Sequence, residues 1–213
     1  MQTIDRRAIE TVGIPRLLLI EHAGLAVANA ARNLLHESNK HVVICAGMGF
    51  NGADALAAAR HLHQWGYSLE VFLAGRPKDL REEPAIYANI LQHLGLTIHE
   101  VATAESLSVV KEKIAGCGLI IDGLLGIGSK GKIREPIAWL IKQLNASGKP
   151  ILAVDVPSGL DADTGKPQET AIKAAATVTF GKIKQGLIQD GASAYTGKII
   201  VDSITFPPNL LNE

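Results

Sequence analysis

The chain has 213 residues, 47% of them apolar and only 4% aromatic, and its 21 basic residues balance 21 acidic ones. That length suits one large domain, 1–213, with a core of Ala, Val, Ile and Leu. Zero net charge gives no nucleic acid or anionic membrane as partner, and no run of about 18 apolar residues marks a membrane span.

The N-terminal stretch MQTIDRRAIETVGIPRLLLIEH mixes charges into its apolar residues, unlike a signal peptide. Cys45 and Cys117 belong to no C-x-x-C pair and read as buried thiols of a cytoplasmic protein.

Residues 1–40 read as N-terminal helices. Pro15 suits a first helical position, and RLLLIEHAGLAVANAARNLLHES continues for six turns. Leu17, Leu18, Glu21, Gly24, Leu25 and Ala28 fall near one face of it.

From Lys40 on, strands and helices alternate. HVVICAG (41–47) is a β-branched, continuous apolar strand. ADALAAARHLHQWG is a helix stopped by Gly66, with His61 and His63 on its surface. A strand over 67–75, a helix over 84–95 and a strand over 97–102 follow. Next come a helix over 106–116, a strand over 119–126, a helix over 134–148 and a strand over 150–159. Strands over 176–181 and 198–204 complete the pattern. The expectation is an α/β fold over 41–213, a three-layer Rossmann-like sandwich with a mostly parallel sheet and helices on both faces.

Ligands of such sheets bind beyond the carboxyl ends of the strands. The first strand is followed by GMGFNGAD, which offers Asn51 and Asp54. The fourth ends in Asp122, followed by GLLGIGSKGKIREP, and the fifth in Asp155, followed by VPSGLD with Ser158. After ATVTF comes GKIKQG, with Lys184. Asn51 also fits a helix N-cap and Asp54 an early dipole-compensating position. Two aspartates at neighbouring strand ends repel unless a cation or a proton lies between them.

Gly47, Gly49 and Gly52 have the G-x-G-x-x-G spacing of dinucleotide folds. The second strand exits through Arg76 and Lys78, without the acid that holds ribose in a dehydrogenase. Ser158 lacks the G-x-S-x-G elbow and no histidine follows it, which argues against a Ser-His-Asp hydrolase. The polar loop 161–174 is longer than most connections and is either functional or mobile.

Taken together, P-x-L-L-L-I-E-H-A-G, GMGFNGADALAAARHL, IIDGLLGIGSKGKIREP, VDVPSGLDADTG and TVTFGKIKQGL…YTGKIIV resemble the NAD(P)H-hydrate epimerase, or YjeF N-terminal domain, family. The resemblance implies a Rossmann-like homodimer that interconverts the R and S forms of hydrated NADH or NADPH (NADHX and NADPHX) with one bound potassium ion per subunit. It also implies a functional partner, an NAD(P)H-hydrate dehydratase, here a separate protein.

By position, the resemblance puts Phe50, Asn51, Gly52, Ala53 and Asp54 on the substrate. It puts Gly126, Ile127, Gly128, Ser129, Lys130, Gly131 and Lys132 around the substrate's phosphates. Asp155 falls at the reacting end, as the acid/base with Lys184 as its helper, and Asn51, Asp122 and Ser158 become the potassium ligands. Phe50, Ala53, Ala55 and His22 depart from the family pattern. The first three would favour a non-catalytic binding or scaffold domain, which stays open beside a less favoured NAD(P)-dependent dehydrogenase.

Overall fold

The computed structural model describes residues 2–129 and 131–211. The N-terminal part holds α1 (Gln2–Glu10) and α2 (Arg16–Leu34), and then the alternation begins. In order come β1 (His41–Ala46), α3 (Phe50–Gln64), β2 (Ser68–Leu73), α4 (Glu82–His93), β3 (Ile98–Glu100) and α5 (Ala104–Gly116). There follow β4 (Leu119–Gly123), α6 (Ile137–Ala146), β5 (Ile151–Val154), β6 (Ala176–Phe180), α7 (Ser193–Thr196), β7 (Lys198–Asp202) and α8 (Pro208–Leu211).

The strands lie in the order β3-β2-β1-β4-β5-β6-β7, and every neighbouring pair is parallel. The sheet is thus wholly parallel. The order turns back between β1 and β4, so the two chain directions part there and leave a crevice at the carboxyl ends.

Successive strand side chains point to opposite faces, which explains the continuous apolar runs. Val42, Ile44, Leu119, Ile121, Leu152 and Val154 pack in one layer with α2, α3 and α4. Val43, Cys45, Ile120, Ile151 and Ala153 pack in the other with α5 and α6. These are the three layers expected. Both cysteines are buried free thiols.

Several boundaries moved for local reasons. Pro15 caps α2 instead of entering it. Leu17 and Leu18 are exposed, and the buried face is Leu19, Ile20, Ala23, Gly24, Val27 and Ala28. Small residues form that face because α2 lies almost on α3: a Cβ at Gly24 would sit 2.4 Å from the Ala57 Cβ. The strands β4 and β5 end earlier than their apolar runs, because Leu124 and Val156 already belong to loops turning into the crevice. Thr103 caps α5 with a reciprocal Ser106 capping box, which starts that helix ahead of its apolar pattern.

His61, expected on a helix surface, is buried. Its Nε2 lies 2.9 Å from Glu21 Oε1, an oxygen also paired with Arg60, while the Tyr87 hydroxyl donates to Glu21 Oε2 at 3.0 Å. This network ties α2, α3 and α4 together. Among the described residues no helix is long and apolar enough to cross a membrane.

Gly24→Ala should force α2 from α3 and cost roughly 1–3 kcal/mol. The check is a lower urea midpoint at unchanged slope.

Candidate active site

At the switch point the backbones of two loops touch. A Cβ on Gly47 would lie 2.0 Å from the Leu124 carbonyl oxygen, and one on Gly52 would lie 2.0 Å from the Gly47 oxygen. Neither position accepts a side chain. The glycine spacing that suggested a phosphate loop therefore has a packing reason: it lets α3 start directly over the β4 exit.

Gly49, not Asn51, is the N-cap of α3, with extended φ −100 and ψ −167. Asn51 lies in the first turn, and its Nδ2 donates across the switch point to the Leu125 carbonyl at 2.9 Å. Its Oδ1 takes no hydrogen bond among the described residues.

Asp122 pairs in register with Cys45 on one side and Ala153 on the other, and it is fully buried. Its carboxylate organises the loops around it. Ser158 donates through Oγ to Asp122 Oδ1 (2.6 Å) and through its backbone N–H to Oδ2 (2.8 Å). The Leu124 N–H donates to Oδ1 at 3.3 Å, and the Leu125 N–H to Ser158 Oγ at 2.8 Å. Burial pushes the Asp122 carboxyl up to about 6, against the Ser158 hydrogen bonds that favour the ionised form.

Four oxygen groups lie close together here: the buried Asp122 carboxylate and Ser158 hydroxyl, and the half-buried Asn51 amide oxygen and Leu125 carbonyl. The set has only oxygen donors and one negative charge. It suits a hard monovalent cation, and no group of three His, Cys, Asp or Glu able to hold a metal occurs among the described residues.

The second aspartate meets burial differently. Asp155 has φ +63, an uncommon value for a residue with a side chain. Its N–H is held by the Val178 carbonyl at 2.7 Å, which helps fix that turn. Lys184 Nζ pairs with Asp155 Oδ1 and also donates to Thr179 Oγ1 (3.0 Å) and the Phe180 carbonyl (2.9 Å). The Phe180 N–H and the Thr179 hydroxyl donate to the same oxygen at 3.2 and 3.3 Å. Among the described residues Oδ2 takes no hydrogen bond, on a residue that lines a cavity.

That cavity measures about 800 Å³. Phe50, Asn51, Gly52 and Asp54 line one wall, and Gly126, Ile127, Gly128 and Ser129 line another. Asp155 and Lys184 lie at its inner end. Asp122 and Ser158 lie beneath the floor and expose no surface. Ala53 also exposes none and cannot touch a ligand in the cavity, because the α3 helix turns it inward. Gly131 and Lys132 lie on the outer surface, away from the lining, and Lys130 lies outside the described residues.

Asp54 keeps some exposed surface, but protein encloses its carboxyl. That enclosure, with the nearby Asp155 and Asp5 charges, holds it well above the ordinary carboxylate range despite Lys184. Asp5, also raised by burial and by Asp155, reaches the cavity from α1. Arg6 and Arg16 line it as well. Sequence reasoning missed these three, since nothing in the spacing of the first 16 residues says which helix face meets the sheet.

Ala53 and Ala55 bring no backbone strain. Neither has a positive φ, and Ala55 packs against Gly123, where a Cβ would come within 2.6 Å of it. The loop 161–174 is pinned down. Asp161 Oδ1 accepts from the Asp163 and Thr164 N–H groups, and Gln168 Nε2 donates to the Ser129 carbonyl at 3.0 Å. At the exit of β2, Arg76 engages Asp79 on the surface at 2.6 Å, away from this cavity. The carboxylate found there, on Asp79, is engaged by Arg76, so the dehydrogenase reading gains nothing.

The family described as YjeF-related protein N-terminus matches residues 16–186. The chain belongs to this family. It is 41% identical over 212 residues to a bifunctional NAD(P)H-hydrate repair enzyme Nnr of Pyrobaculum aerophilum, covering 98% of this chain and 41% of that protein. It is 38% identical over 201 residues to an NAD(P)H-hydrate epimerase of Limosilactobacillus fermentum, covering 94% of this chain and 92% of that one. The chain thus spans about two fifths of the bifunctional relative and nearly all of the stand-alone epimerase. The crystal structure of yeast ynu0 superposes with TM-score 0.84 at 27% identity, over 99% of this chain and 89% of that one. The α1 cap over the cavity, with Asp5, precedes the stretch matched to the YjeF-related family.

Asp155→Asn should leave the Lys184 ammonium buried without its counter-charge and destabilise the fold by roughly 3–5 kcal/mol. Adding Lys184→Met should recover much of that loss, and denaturant unfolding of the single and double variants measures both.

Proposed function

We propose that the chain is an isomerase of nicotinamide nucleotide repair, interconverting the R and S forms of hydrated NADH and NADPH. The observation that carries this reading is the inner end of the cavity. There a buried aspartate spends one carboxylate oxygen on Lys184, Thr179 and the Phe180 N–H and keeps the other free. The relatives named NAD(P)H-hydrate epimerase support it.

The substrate's altered ring carries a hydroxyl on a carbon beside the ring nitrogen. Inverting that carbon, by loss and return of water or by ring opening and closure, moves protons on and off oxygen and nitrogen. A positioned carboxylate serves either route. In this reading Asp155 Oδ2 is the atom that takes and returns the proton. Lys184 fixes the carboxylate plane, and Asp54, held toward its protonated form, faces the same space. The turn Gly126–Ser129 offers backbone amides to the diphosphate, and the cavity walls of Ile20, Leu124 and Phe180 exclude water from the reacting ring.

Asn51, Asp122 and Ser158, with the Leu125 carbonyl, would hold a potassium ion. It would neutralise the buried Asp122 charge and fix the switch-point loops. We further read the protein as a cytoplasmic homodimer working alongside an NAD(P)H-hydrate dehydratase. The scaffold alternative rested on Phe50, Ala53 and Ala55, and the unstrained helix at both alanines removes most of its basis.

Asp155→Asn should slow epimer interconversion at least a hundredfold, about the loss expected for a general acid/base, when followed by chromatography of the two hydrates below the variant's unfolding temperature. Unchanged rates would sink the assignment. Exchanging potassium for tetramethylammonium, too large for the Asn51–Asp122–Ser158 set, should lower the rate and the melting temperature together. Asp122→Asn should abolish both responses to potassium.

A further inference from the structure

The reading above puts the reacting ring at the inner end of the cavity, where Asp155 and Lys184 are 8% and 7% exposed. A dinucleotide held there by one end must present its other end, the adenosine, toward the mouth. Two side chains at the mouth are arranged as though to receive it.

Phe50 lines the cavity and is 43% exposed, which makes it one of the few large apolar side chains left open to solvent. The Arg16 guanidinium lies 4.5 Å from its ring centroid, so cation and ring form a stacked pair. The pair spans two elements, Arg16 from the start of α2 and Phe50 from the start of α3.

Arg16 stands at ion-pair distance from two carboxylates without being hydrogen-bonded to either. Its nearest carboxylate oxygens, on Glu83 and Glu82, are 3.7 and 3.8 Å away, too far for hydrogen bonds. Among the described residues its guanidinium makes no hydrogen bond at all. A planar fork of N–H donors, set over a ring and left without a hydrogen bond beside a nucleotide-sized cavity, can exchange its loose ion pairs with Glu82 and Glu83 for a phosphate.

We propose that Arg16 and Phe50 form a specificity element for the far end of the substrate: Phe50 stacks the adenine, and Arg16 takes the 2′-phosphate that distinguishes NADPHX from NADHX. The proposal rests on the epimerase reading for which end enters first. It makes NADPHX the preferred substrate. Phe50 then has a double part, offering a stacking surface to the base and aiming the guanidinium. Arg6, which also lines the cavity, has no ring to orient it.

The test compares kcat/KM for the two hydrates in the wild type and in Arg16→Gln, Arg6→Gln and Phe50→Ala. Alongside it, calorimetry measures binding of 2′,5′-ADP and 5′-ADP as probes. The wild type should favour NADPHX. Arg16→Gln should cut kcat/KM for NADPHX roughly tenfold or more, mostly through KM, the loss of a charge-assisted contact. The loss for NADHX should be several-fold smaller, since that substrate has no 2′-phosphate to contact Arg16. Phe50→Ala should weaken both substrates.

An unchanged NADPHX to NADHX ratio in Arg16→Gln overturns the proposal and leaves the epimerase reading standing, as does a ratio lost in Arg6→Gln instead. If the wild type turns over neither hydrate, the epimerase reading fails and the probes decide the rest. Tighter binding of 2′,5′-ADP that vanishes in Arg16→Gln supports the pair, and equal binding of the two probes overturns it.

Discussion

Everything in the site depends on how closely the backbone can approach itself at the switch point. Gly47 lies against the Leu124 carbonyl and Gly52 against Gly47, while Gly123 faces Ala55 and Gly24 faces Ala57. This seam of small residues lets α3 begin on top of the β4 exit and lets α2 lie flat on α3. A single side chain at Gly47 or Gly52 would push the first turn of α3 away from the 124–129 loop. Asn51 would then lose the Leu125 carbonyl, and the oxygens gathered around Asp122 would separate. The packing constraint therefore precedes the chemistry and makes it possible.

The two strand-end aspartates show two answers to one electrostatic problem. A carboxylate at the end of a buried strand needs compensation, since stripping it of water costs several kcal/mol. Asp122 finds hydrogen-bond donors from Ser158 and Leu124 but no cation among the described residues, and burial holds its carboxyl high. Asp155 finds Lys184, delivered from the segment after β6. The first arrangement gathers oxygen ligands around one buried carboxylate. The second leaves a carboxylate paired, oriented and, among the described residues, with one oxygen free of hydrogen bonds at a cavity wall. A strained backbone at Asp155 keeps that carboxylate aimed, which is the usual circumstance in which such strain persists.

Most of the fold was legible because its signals are local. β-branched apolar runs ending in glycine or aspartate gave the strands, and their continuity gave burial on both faces. The polar residues at the strand ends were legible for the same reason: Asn51, Asp54, Asp122, Asp155 and Lys184 interrupt patterns that otherwise run apolar. What misled was one-dimensional spacing. Leu17 and Leu18 share a helical face with Gly24, yet the helix buries its small side because α3 lies so near. His61 looks like a surface residue until Glu21 arrives from another helix. Asp5, Arg6 and Arg16 carry no motif, and only the placement of α1 and α2 over the crevice brings them to the cavity.

The sequence by itself determined the alternation, the parallel sheet and the residues available at its carboxyl edge. Periodicity and strand-end chemistry are properties of neighbours along the chain. The tertiary structure alone decided which of those residues meet. Asn51 reaches across 74 positions to Leu125, and Ser158 across 36 to Asp122. The reversal of strand order between β1 and β4 sets the first contact, and the pairing of β4 with β5 sets the second. Arg16 comes to lie over Phe50 because glycine and alanine let two helices close to van der Waals contact. Such encounters depend on packing between distant segments, and no local pattern encodes them.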